Sequence, residues 1–99
     1  MILSGWASGV IDRVFDAEVR EDLYIRFSGL DQRIFDREDP DRMASAIILK
    51  CLQGHSVSVI FEEAQTDYRD LLMESGVEDL DWRDVVAERF GSAPPGRMG

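Results

Sequence analysis

Residues 22–28 read DLYIRFS, and the period assigned to this stretch decides the fold. Leu23, Ile25 and Phe27 alternate with Tyr24, Arg26 and Ser28, which is the side-chain pattern of a strand that buries one face. A strand here carries its neighbours with it. The preceding GVIDRVFD, residues 9–16, fits a helical stripe through Val10, Ile11, Val14 and Phe15, but its β-branched side chains and Gly5 and Gly9 favour a bent strand. The polar AEVRED, residues 17–22, then turns the chain, and SGLDQ, residues 28–32, turns it again ahead of RIFD, residues 33–36. The expected product is a three-stranded antiparallel meander.

Downstream the signals change. DPDRMASAIILKCLQG, residues 39–54, has Asp39 to cap a helix, Pro40 in its first turn, Met43, Ile47 and Cys51 at four-residue spacing, and Gly54 to end it. SVSVIFE, residues 56–62, alternates Val57, Val59 and Phe61 and reads as a fourth strand. DYRDLLME at residues 67–74 is then nearly rewritten as DWRDVVAE at residues 81–88. Asp67 or Thr66, and Asp81, suit helix N-caps, while Gly76 and Gly91 suit left-handed C-terminal turns. Tyr68, Leu71 and Leu72 form one apolar stripe, and Trp82, Val85, Val86 and Phe90 form its counterpart. Two short copies are too few for a solenoid, so they predict a helical hairpin. The expected fold is an α+β domain over residues 1–91, β-β-β-α-β followed by that hairpin, with a partial barrel as one way to close the sheet. SAPPGRMG, residues 92–99, has two prolines and two glycines and is expected to be a disordered tail.

Charge narrows the choice of partner. The chain has a formal net charge of −9, which opposes binding to nucleic acid or to an anionic membrane. Residues 1–60 hold ten acids against seven bases, and residues 61–99 hold ten against four. Most of the excess therefore lies with the repeat. Glu74 and Glu88 follow Asp70 and Asp84 by four residues, a mildly repulsive spacing that a device for stability alone would avoid. With Glu62, Glu63, Glu78 and Asp79 these acids predict a dense negative face, answered in part by Arg69, Arg83 and Arg89. Such arrays imitate the phosphate spacing of nucleic acid and steer association with a basic groove. The ordinary alternative is a charged face that only keeps a small protein in solution.

Catalytic chemistry finds little support. Cys51 and His55 are four apart, but Gly54 breaks the helix between them; a buried helical cysteine and a loop histidine are the ordinary reading. Glu62 and Glu63 would point to opposite sides of a continuing strand and so could not flank one bond. DREDPDRM, residues 36–43, lacks the glycine and terminal glutamate of a calcium loop. No phosphate-cradling glycine loop or nucleophile elbow occurs, and neither a metal nor a cofactor site is expected. The lone cysteine forms no internal disulfide and fits a reducing compartment, the cytoplasm by default; no targeting or membrane segment is evident.

Two functional expectations follow. The favoured one is a small acidic, non-enzymatic protein that inhibits or regulates a basic partner, a nucleic-acid-handling protein included, in the manner of a phage-encoded inhibitor of host defence. Its binding residues would be Glu62, Glu63, Asp70, Glu74, Glu78, Asp79, Asp84 and Glu88. The alternative is a barrel-like module that holds single-stranded nucleic acid on a sheet face bearing Tyr24 and Arg26, joined by Arg13 or Arg33.

Overall fold

The computed structural model describes residues 1–35, 39–77 and 81–91. Glu78, Asp79 and the expected tail at 92–99 lie outside the described residues. The regular elements are α1 (Gly5–Val14), α2 (Ala17–Gly29), a 3₁₀ turn (Gln32–Phe35), α3 (Pro40–Leu52), α4 (Val57–Thr66), α5 (Tyr68–Ser75) and α6 (Trp82–Phe90). Among the described residues there is no strand. The expected antiparallel sheet and partial barrel are therefore replaced by an all-α fold.

The correction turns on DLYIRFS. Leu23 and Phe27 are buried, but Ile25 between them is 63% exposed. Alternation over so few residues also contains a four-residue spacing, and the longer window settles which period holds. Leu23, Phe27 and the buried Leu30 continue one helical face that Val19 begins. AEVRED is the start of this helix and not a turn, because Asp16 caps it by accepting the Val19 amide at 3.0 Å. The same ambiguity resolves the same way in α4. Ile60, Phe61 and Ala64 are buried with Val57 packed beside them, while Val59 is 56% exposed. In α1 the stripe is Ala7, Val10, Ile11 and Val14, and Ser4 caps the helix by accepting the Ala7 amide at 3.1 Å. β-branched content did not decide any of these segments, since tertiary burial outweighs a propensity difference of under 1 kcal/mol or so per residue. RIFD, expected as the third strand, lies in the 3₁₀ turn as far as Phe35.

α3 organises the rest. Met43 through Cys51 are all buried, a run of nine residues inside one helix. A helix enclosed on every side reads as a continuous apolar segment, which MASAIILKC is apart from Ser45 and Lys50. Ser45 spends its hydroxyl on the Asp41 carbonyl at 2.6 Å. α1, α4, α5, α6 and the 3₁₀ turn pack on α3, and α2 joins through α1 and α4. Because the principal neighbour of both α5 and α6 is α3, the expected C-terminal hairpin is better described as two helices laid on a central one.

Several caps follow expectation and one does not. Asp39 accepts the Asp41 amide at 2.9 Å, and Pro40 opens α3. Gly54, Gly76 and Gly91 have φ of 93°, 84° and 77°, the left-handed region where a side chain is strained. Asp67 closes α4 and caps α5 by accepting the Asp70 amide at 3.2 Å. Thr66 instead donates to the Glu62 carbonyl at 3.0 Å. Asp81 makes no side-chain cap, since its φ of −98° and ψ of 35° are not the extended backbone from which an N-cap carboxylate reaches the following amides.

Candidate functional site

α4 and α5 meet at the single residue Asp67, and this tight junction brings their acidic side chains together. Glu63 comes from the last turns of α4, Asp70 and Glu74 from α5, and Lys50 from α3 against which both helices pack. Lys50 Nζ lies 3.4 Å from Glu74 Oε2. The Lys50 side chain is only 10% exposed and that of Glu74 is 48% exposed, so the ammonium sits under the corner and the carboxylate at its rim. The lysine stem contributes packing to the buried run of α3 while its Nζ reaches the Glu74 carboxylate.

Glu63 shows the electrostatic character of this corner. Partial burial, then the negative charge of Glu74, then a hydrogen bond to Glu74 hold its carboxyl above the ordinary glutamate value; Asp70 acts in the same direction and Lys50 against it. A carboxyl protonates more readily when its anion is desolvated and faced by like charge. Glu63 thus faces two like charges, Glu74 and Asp70, against the single positive charge of Lys50. Glu62 and Asp70 are both exposed.

The remaining expected residues are placed differently. Asp84 and Glu88 are exposed on α6, a separate helix that also packs on α3. Arg83 Nη2 donates to Asp39 Oδ2 at 2.8 Å and ties the start of α6 to the cap of α3. Its guanidinium lies 4.6 Å from the centre of the Trp82 ring. At the other end, Arg13 Nη2 donates to the Phe90 carbonyl at 2.6 Å, and the Trp6 and Phe90 ring centres are 6.2 Å apart. Hence the structure brings Glu63, Asp70 and Glu74 together, leaves Glu62 exposed on α4, and carries Asp84 and Glu88 on a different helix. Glu78 and Asp79 lie outside the described residues.

The repeat has a largely structural explanation. In both copies the aromatic residue opens a helix on α3 and the following arginine lies over its ring, Arg69 at 5.6 Å from Tyr68 and Arg83 at 4.6 Å from Trp82. Tyr68 also meets Phe35 edge-on at 5.8 Å. Glu74, four residues after Asp70 at a repulsive spacing, is answered by Lys50 of α3. Lys50 itself was not singled out from the sequence, although a lone charge inside IILKC was a visible signal.

The sheet face proposed for nucleic acid has no counterpart. Tyr24 and Arg26 are two residues apart on α2 and so project to widely separated sides of the helix. Tyr24 Oη lies 2.6 Å from Asp12 Oδ1 and 3.0 Å from the Ser8 carbonyl, while Arg26 Nε donates to Asp22 Oδ1 at 2.7 Å. Arg13 is engaged at Phe90 and Arg33 at Asp31. These four side chains are spent on internal contacts and do not form one surface.

Cys51 is buried in α3, and His55 is exposed beyond Gly54. Burial first, and the negative charge of Asp22 second, push the Cys51 thiol up to about 11, the opposite of what an activated nucleophile needs. Among the described residues no group of His, Cys, Asp and Glu side chains is arranged to hold a metal ion. Nor is any helix among them long and apolar enough to cross a membrane. No protein-family model, curated protein or solved structure matches the chain.

Proposed function

We propose that this chain is a small acidic binding protein, without catalytic chemistry of its own, that inhibits or regulates a basic protein partner. The observation that carries this reading is the corner between α4 and α5, where Glu63 faces the like charges of Glu74 and Asp70, only Glu74 meets Lys50, and Glu62 is exposed on α4. A lysine or arginine brought to this corner gains from several carboxylates at once, and the net charge of −9 extends their attraction into solution. A nucleic-acid-handling protein is one class of partner whose groove fits, and a phage-encoded inhibitor of host defence is one role that uses such a fit. The partner meets the chain in a reducing compartment, the cytoplasm, where an unpaired thiol such as Cys51 is at home.

The test is capture from extracts of the native cell on the immobilised chain, at low and at moderate salt. Basic proteins recovered at low salt and depleted at moderate salt are the expected outcome, because screening shortens the reach of exposed charges. A recovered set that is acidic or neutral and indifferent to salt would overturn the proposal.

A further inference from the structure

We draw no further inference here: the strongest candidate, the open groove of about 390 Å³ lined by Met1, Ile2, Leu3, Ser8, Tyr24 and Ser28 where the N-terminal segment crosses α1 and α2, carries nothing because nothing in the structure shows what covers it.

Discussion

Lys50 and Glu74 join the core of this protein to its acidic corner, the Nζ of a largely buried α3 lysine lying 3.4 Å from a half-exposed carboxylate on α5. The two halves of this contact contribute differently. The charge pair is open to water on the glutamate side and is therefore worth about 0–1 kcal/mol. The lysine stem is enclosed and behaves as core. Lys50→Met keeps the stem and is expected to change stability by about 1 kcal/mol or less. Lys50→Ala loses the stem as well and should cost about 2–5 kcal/mol beyond the methionine variant. Urea denaturation of the two variants checks this, and equal midpoints would show that the stem contributes no packing.

Phe27 and Ile25 separate the helical from the extended reading of α2. Phe27 is 1% exposed and meets Phe61 edge-on with ring centres 4.8 Å apart, whereas Ile25 is 63% exposed. A strand would give both residues the same face and the same importance. In the helix, Phe27→Ala is expected to cost about 3–5 kcal/mol, and Ile25→Ala to stay within about 0.5 kcal/mol. Thermal or chemical unfolding of the two variants decides, and a comparable loss in both would restore the alternating pattern.

These residues also show how far the fold was legible. The helix at 40–52 could be read because its boundary signals, Asp39, Pro40 and Gly54, agree with its interior, and the left-handed turns at Gly76 and Gly91 were equally plain. α1, α2 and α4 were not: in α1 the β-branched residues and glycines outweighed a helical stripe that was visible, and α2 and α4 each contain a short alternation that a helix also satisfies, so that only the position of the intervening residue distinguishes the two. Ile25 and Val59 are exposed, which no window of five or seven residues discloses. The site inherited this error. With 56–62 read as a strand, Glu62 and Glu63 pointed apart and Glu63 had no route to Glu74; with the segment helical, Glu63 faces Glu74 directly. Concentration of charge near the repeat was readable from composition, but that Lys50 meets Glu74 depends on how α5 packs on α3, which no local pattern discloses.

Glu63 predicts a pH dependence. Its folded value is raised above 4.5, the ordinary value of the unfolded chain, so the folded state binds the proton more tightly than the unfolded state does. The favourable contribution is fully present below 4.5 and is lost as pH rises through the folded value. Acidification from neutrality toward that value should therefore stabilise the parent relative to Glu63→Gln, which cannot titrate. At neutral pH the glutamine variant is expected to be the more stable of the two, and its advantage should shrink as pH falls. Denaturation midpoints of both proteins across this range provide the test, and a constant difference would remove Glu63 from the like-charge cluster.

Cys51 should be chemically silent in the folded protein. Its side chain is buried, and its thiol is held near 11, far above neutrality. The thiolate that reacts is thus scarce, and reagent has no direct approach. Labelling by a thiol reagent at neutral pH is expected to follow unfolding, with slow reaction in buffer and rapid reaction in denaturant. Rapid modification under native conditions would reveal an opening of α3 that its packing does not suggest. Because His55 is exposed and makes no pair with the thiol, His55→Ala should leave partner binding unchanged.

The acidic corner makes the most demanding prediction. If several carboxylates act together, a variant must remove charge without disturbing the fold, and the structure decides which acids qualify. Glu74 is tied to Lys50, Asp67 caps α5, and Asp84 has its own interaction, so none of these is suitable. Glu62, Asp70 and Glu88 are exposed, and neutral amides at all three positions remove three charges while keeping the side-chain shapes. Each single change should be nearly silent, since one exposed charge contributes about 0–1 kcal/mol. Together they should slow association with the captured partner at low salt and leave dissociation much less affected, because steering charges act before contact. At moderate salt the parent and the triple variant should converge. Restricting the changes to Glu62 on α4 and Asp70 on α5 separates these two helices from α6: if the pair reproduces the full effect, the docking face lies on α4 and α5. Stopped-flow association rates for parent, pair and triple variants at two salt concentrations measure all of this, provided the three proteins unfold at the same denaturant concentration. Equal rates at low salt would reduce these carboxylates to a solvated surface, and the proposal that they bind a basic partner would fall with them.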